Sequence, residues 1–235
     1  MKQKLTVKIL IEETRKFCEI ERKTYHKELY GVTDGKAIGT YVEHKLKQYL
    51  AERFDFTSGN SASGIDLPDE SINTDIKVTS IRQPQSSCPY KSSRQKIYGL
   101  GYNLLVLVYD KIDDENGGLL KFLNVTFVEK ERTGDFTTTK RIIEMLRDGA
   151  NKDDLIAYFT DRNIPGDEIT YLNLAEELLS RRPKQGYLTI SNALQWRLQY
   201  GRVIALNNEV DGVNNHDFNW KNRIRRLSNA WGFLP

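Results

Sequence analysis

Apolar residues recur at helical spacing twice near the start of the chain. Over residues 8–30 Ile9, Leu10, Phe17 and Ile20 mark a first helix, which Gly31 to Gly35 would end. From Lys36 to Phe54 the period is clearer, with Ile38, Tyr41, Val42, Leu46, Tyr49 and Leu50 on one stripe. Thr57 to Ser63 is a Gly/Ser/Asn-rich loop, after which the period becomes that of a strand and predicts a hairpin over 64–67 and 74–80. Residues 90–98 suit a short basic helix. The unbroken run Asn103 to Tyr109 suits a strand buried on both faces. The turn formers Asp113 to Gly118 lead to a further strand near 119–129, so 103–129 reads as a long hairpin.

Beyond Gly134 the helical period returns. Segments 138–148, 151–160 and 168–181 are amphipathic, joined by Gly149-Ala150 and by Asn163-Ile164-Pro165-Gly166. The last stretch predicts a helix near 190–200, a short strand near 202–206, an Asn-rich loop and a basic end. No internal repeat and no low-complexity tract interrupts this order. Helices, then strands, then helices imply an α/β class with a central sheet flanked by helices and a helical elaboration in the C-terminal half. The expected division is a core over 1–135, a helical segment over 136–185 and a C-terminal part over 186–235 that packs on the core.

At 235 residues the chain can bury one sizeable core. Its formal net charge of +3 is mild, so any polyanion must be met by local patches. Cys18 and Cys88 are too few and too isolated for a disulfide framework or a thiolate metal site. No apolar run suits a signal peptide or a membrane span, and a cytoplasmic, prokaryotic setting is expected. No Gly-rich loop ending in Lys-Ser/Thr is present, which argues against an ATP-driven motor.

The chemistry concentrates in Ser63-Gly64-Ile65-Asp66 and Thr74-Asp75-Ile76-Lys77-Val78. On a strand Asp75 and Lys77 share one face while Ile76 and Val78 point into a core. Turn formers between Pro68 and Asn73 let the chain double back and set Asp66 beside Asp75. Two adjacent carboxylates repel unless a cation lies between them, and hard oxygen ligands suit Mg²⁺. The Lys77 ammonium could orient or help deprotonate a water, or neutralise charge on a reacting phosphate. An ordinary ion pair on a solvated hairpin face is the plainer alternative. Asp69 is a second choice for the first carboxylate, although only five residues separate it from Asp75. Glu43, in the second helix, would reach the site if that helix packs beside the hairpin.

From Ile76 to Tyr109 the chain carries no Asp or Glu, yet it holds Lys77, Arg82, Lys91, Arg94 and Lys96. Among these lie Gln83, Gln85, Ser86 and Ser87. Arg and Lys suit phosphates and Gln and Ser suit base edges, so this stretch is the expected nucleic-acid-binding surface. Further basic groups are Arg181, Arg182 and Lys184, and Lys221, Arg223, Arg225 and Arg226 between Trp220 and Trp231. The helices over 138–181 fit packing better than a DNA reader.

The helix with Glu43, then Gly64-Ile65-Asp66, then Asp75-Ile76-Lys77 resembles the PD-(D/E)xK nuclease superfamily, over about residues 36–110. The size and the Gln/Ser/basic stretch after the lysine look like a type II restriction endonuclease. The resemblance implies a restriction-endonuclease-like fold with Asp66 and Asp75 as Mg²⁺ ligands. It also implies Lys77 as activator of the attacking water and Glu43 as helper. It further implies double-stranded DNA as substrate, 5′-phosphate ends, a homodimer and a cognate DNA methyltransferase in the same system. Ile65 stands where that superfamily has proline, and only eight residues separate the two acids. A repair or recombination nuclease of the same fold and a non-catalytic DNA-binding regulator are the rival readings.

Overall fold

The computed structural model describes residues 2–59, 64–190, 197–206 and 209–218. A short strand β1 (Gln3–Lys4) precedes helix α1 (Val7–Glu21), whose N-terminus is capped by the Thr6 side chain. The helix is shorter than the expected 8–30 span, because the chain leaves it for β2 (Tyr25–His26), which pairs with the sheet at Gly118 and Leu119. Helix α2 (Gly35–Ala51) starts at Asp34, whose carboxylate accepts the Lys36 N–H, and it buries Ile38, Val42, Leu46 and Leu50. Strand β3 (Phe54–Asp55) pairs with β1. Then come β4 (Thr74–Ser80), β5 (Gln85–Ser87), α3 (Ser93–Tyr98), β6 (Asn103–Asp114) and β7 (Gly117–Val128). Three helices follow, α4 (Phe136–Arg147), α5 (Lys152–Asp161) and α6 (Glu168–Ser180). The described chain closes with β8 (Thr189–Ile190), β9 (Arg197–Gln199), α7 (Gly201–Ile204) and β10 (Val213–Asp217).

The main sheet runs in the order β10-β7-β6-β4, with β2 also on β7. β4 and β6 are parallel and the other pairs antiparallel, which makes the sheet mixed. Strand β6 sends Leu105, Leu107 and Tyr109 to one face, where they meet the buried stripes of α1 and α2. Its Leu104, Val106 and Val108 go to the other face, against Leu188, Leu198, Tyr200, Val203 and Ile204. A strand covered on both faces needs no polar alternation, which accounts for its continuous apolar sequence. The architecture is the expected α/β one, a curled mixed sheet flanked by helices.

Helices α4, α5 and α6 match the predicted segments and gather their own cluster, with Ile142, Leu146, Leu155, Phe159, Leu174 and Leu178 around Ile97 of α3. Their starts are capped by Asp135, Asn151 and Asp167, and Asn151 forms a reciprocal box with Asp154. The unit leaves and rejoins the core where Gly134 and Gly186 cross, so close that a Cβ on Gly186 would lie 2.2 Å from the Gly134 carbonyl oxygen.

Four expectations are corrected. The predicted hairpin does not form: residues 64–67 add only a bridge between Leu67 and Thr74. Near 190–200 the described residues are strands, with Arg197, Leu198 and Gln199 alternating out, in and out. The expected strand near 202–206 is helix α7. The Asn-rich stretch, read as loop, contains β10. There Asn215 accepts from Asn124 at 2.6 Å and donates to the carbonyls of Val203 and Ile204 at 3.1 and 2.7 Å. Partners from elsewhere in the chain satisfy a polarity that in isolation signals a loop. The basic group from Lys221 to Arg226, with Trp220 and Trp231, lies outside the described residues.

Candidate active site

Among the described residues strand β4 is the outer strand of its sheet, and the candidate site is built on its outer edge. Ile76 turns into the α2 core, so Asp75 and Lys77 emerge on the opposite face. There the Lys77 Nζ lies 2.7 Å from Asp75 Oδ2. Asp66 reaches the edge from the preceding loop and its Oδ2 accepts the Ile76 N–H at 2.8 Å. Its backbone is pinned by Gly59, whose N–H donates to the Asp66 carbonyl, and by the bridge of Leu67 with Thr74. A loop held at two points therefore does the positioning expected of a hairpin.

Helix α2 packs along β4 and brings Glu43 to the same place. One turn further on it brings Lys47, which the sequence reading missed. The Lys47 Nζ donates to Glu43 Oε1 at 2.7 Å and to Asp66 Oδ1 at 2.6 Å. The available signal was the Glu-to-Lys spacing of four residues on a helix, which normally marks a surface pair. Here the lysine side chain is only 14 % exposed. Asp69 is used elsewhere: its carboxylate accepts the Thr57 N–H at 2.9 Å and its carbonyl closes the turn to Ile72 and Asn73. The acid beside Asp75 is Asp66.

The two aspartates have opposite proton affinities. Burial pushes the Asp75 carboxyl up, and although Lys77 opposes it, the hydrogen-bonded Asp66 adds to the rise, to about 7. Burial also works against the Asp66 charge. Its hydrogen bonds with Asp75, Glu43 and Lys47, and that from the Ile76 N–H, outweigh the burial and hold it at about 2. Glu43 is raised by burial and by Asp66. Lys47 is disfavoured as a cation by burial, yet its two carboxylate partners raise it overall. Tyr102 and Tyr200 lie within the field of Asp75, and burial first, then that charge, pushes both phenols up.

The buried Asp75 and the partly buried Asp66 hydrogen-bonded to it form a donor pair that a hard divalent cation fits, because a cation between them relieves the repulsion of two carboxylates. Among the described residues no three Asp, Glu, His or Cys groups converge in metal-holding geometry. Lys47 occupies the place between Glu43 and Asp66, which leaves Asp66 and Asp75 as the pair. One or two carboxylates are what Mg²⁺ ordinarily takes from a protein when a phosphate supplies further oxygens.

The eight residues expected at DNA fall into two groups. Arg82, Gln83, Ser87 and Lys91 are exposed or partly so, with Gln85 and Ser86 half-buried beside them. Arg94 instead makes a two-pronged bond to Glu177 of α6, at 2.8 and 2.7 Å, and lies over the Tyr98 ring. Lys96 is buried, at 6 % exposure, in α3. Arg94 thus ties α3 to α6 and Lys96 lies buried within α3, whereas Arg82 and Lys91 are exposed.

Such a sheet, with helices on its faces and an acid-lysine cluster on an outer strand, places the molecule in the class of restriction-endonuclease-like α/β proteins. The family model described as type II restriction enzyme NspV matches residues 4–215, and the chain belongs to that family. Type II restriction enzyme NspV from Nostoc sp. (strain ATCC 29411 / PCC 7524) is 55% identical over 211 residues, covering 89% of this chain and 95% of the relative. No solved structure matches the chain. Membership of the family makes the protein a site-specific DNA endonuclease of a restriction-modification system, and the repair-nuclease and regulator readings give way to it. Among the described residues no helix is long and apolar enough to cross a membrane.

Proposed function

We propose that this endonuclease hydrolyses double-stranded DNA at the outer edge of β4, using Mg²⁺ held by Asp66 and Asp75. The observation that carries the reading is the convergence of the hydrogen-bonded carboxyls of Asp66 and Asp75 with Lys77 at the edge of β4. A bound Mg²⁺ would supply Lewis acidity to the phosphate and lower the pKa of a coordinated water. Lys77, with 27 % of its side chain exposed, is the cation available to orient that water and to balance charge on the phosphate. Lys47 fixes the orientation of Asp66 and keeps Glu43 paired. Attack of water on phosphorus breaks the bond to the 3′-oxygen and leaves a 5′-phosphate and a 3′-hydroxyl.

Arg82, Gln83, Gln85, Ser87 and Lys91 form the DNA surface nearest this site, while Ser86 turns inward to the buried Tyr200. Two strands of one site call for two catalytic centres, so the working form is a homodimer, and a cognate methyltransferase protects the host DNA from it. The division of the chain into a core over 1–135, a helical unit over 136–185 and a returning part over 186–235 is supported by the separate cluster of α4 to α6. It is also supported by the packing of Leu188, Leu198 and Tyr200 onto the sheet.

The test is incubation of purified protein with unmethylated phage DNA, with Mg²⁺ or with EDTA, beside Lys77→Ala, Asp75→Asn and Asp69→Asn. Discrete fragments that need Mg²⁺ are expected from the parent and from Asp69→Asn. Lys77→Ala should lose at least about 10²–10³-fold in rate while still binding DNA. Full cleavage by Lys77→Ala would place the chemistry elsewhere.

A further inference from the structure

Apart from the main sheet, the chain builds a small three-stranded one in the order β5-β9-β8. Its registers set Gln85 opposite Gln199 and Gln199 opposite Thr189, with Ser87 opposite Arg197. Cross-strand partners share a face, so Gln85, Gln199, Thr189, Ser87 and Arg197 form one polar surface. Arg197, Gln199 and Ser87 are exposed and Gln85 and Thr189 half-buried. The other face is packed: Leu198 and Ile190 are 0 % and 6 % exposed and belong to the cluster beneath the main sheet. Ser86 is hydrogen-bonded there to the fully buried Tyr200 at 2.6 Å. The polar face is thus carried on a fixed support.

Its position relative to the candidate site follows from one side chain. Thr79 lies two residues beyond Lys77 on β4, on the same face as Asp75 and Lys77. The Gln85 N–H donates to Thr79 Oγ1 at 3.2 Å. The ribbon therefore begins about 7 Å along the strand from Lys77, a distance of about two base-pair steps.

We propose that the β5–β9 ribbon is the base-reading element of the enzyme, and that Arg197, Gln199 and Gln85 determine specificity at the base pairs nearest the scissile phosphate. The inference rests on the reading that cleavage occurs at the β4 edge. The strands of a small antiparallel sheet can enter a DNA groove and read base edges there. The surface offers the side chains suited to base edges there, amides for adenine and a guanidinium for guanine. Its described residues include no carboxylate, and it continues into the acid-free stretch with Arg82 and Lys91. A merely solvated sheet face needs neither a support fixed to the core nor a bond to the catalytic strand.

The experiment first maps the cut made by the wild-type enzyme. It then measures kcat/KM for wild type, Arg197→Ala, Gln199→Ala and Gln85→Ala on duplexes with each base pair of the site changed in turn. Each variant should lose about 5- to 150-fold on the cognate duplex. Each should also stop discriminating at one or two base pairs beside the cut, with thermal stability and non-specific binding unchanged. Wild-type discrimination at every position would overturn the proposal, as would flattening only at base pairs remote from the cut. Cleavage surviving in Lys77→Ala would remove the proximity on which the proposal stands, and that result is separable because it is read on an unaltered ribbon.

Discussion

Asp75 makes the stability of the metal-free protein depend on pH. Its carboxyl has an ordinary value of 3.8 and is held at about 7 in the fold, chiefly by burial. Between those values the folded chain keeps a proton that the unfolded chain has released. The group's contribution is therefore complete below about pH 4 and is lost as the pH rises towards 7. Asp66 has the opposite sign, since its value is depressed to about 2, so its contribution is lost as the pH falls through that lower window. Without divalent metal, the wild type should lose thermal stability between about pH 5 and about pH 8 relative to Asp75→Asn, which cannot titrate there. Added Mg²⁺ should restore part of the loss in the wild type and none in the variant. Parallel melting curves for the two proteins across that range would show that Asp75 is not held in its protonated form. Asp75 and Lys77 were legible in the sequence because strand alternation alone puts them together. The raised Asp75 value was not, because it depends on burial that only the fold supplies and on the neighbouring Asp66.

At the scale of elements, α2 holds the position that decides whether the site is a pair or a cluster of acids. Its stripe of Ile38, Val42, Leu46 and Leu50 packs against the Ile76 face of β4 and fixes which residues meet the sheet edge. Glu43 and Lys47 then arrive on the same side, one turn apart. Lys47→Met keeps the length and helix propensity of the side chain but removes the ammonium between Glu43 and Asp66. The variant should bind Ca²⁺ more tightly by calorimetry, since a third carboxylate becomes available. Cleavage at saturating Mg²⁺ should fall by up to about 10²-fold as Asp66 loses its fixed orientation. Unchanged Ca²⁺ affinity together with unchanged rate would mean that the lysine is an incidental ion pair. The helix itself was plain from its period, as were β6, β7 and α4 to α6, each long and strongly patterned. The elements that were misread are two to five residues long. For these, pairing across the chain outweighs local preference, as where Leu198 enters the core between two polar neighbours.

The whole molecule has a net charge of only +3, so its affinity for DNA depends on where the exposed cations stand. Five basic residues lie between Ile76 and Tyr109, but three have structural neighbours or burial: Lys77 pairs with Asp75, Arg94 with Glu177, and Lys96 is inside. Arg82 and Lys91, which flank β5 in the sequence, are exposed. Removing one cation that neutralises a phosphate should lower the slope of log affinity against log salt by about 0.9 on duplex DNA. Arg82→Ala and Lys91→Ala should each show that decrement, measured on a non-cognate duplex with Ca²⁺ in place of Mg²⁺. Arg94→Ala should leave the slope unchanged and instead lower the melting temperature, because its guanidinium holds α3 to α6 and rests on Tyr98. A slope reduced by Arg94→Ala and untouched by Arg82→Ala would put the DNA on the helical side of the molecule. The sequence alone could not separate these cations, because all three lie in one acid-free run. Glu177, the residue that occupies Arg94, is far along the chain, and only the fold brings the two together.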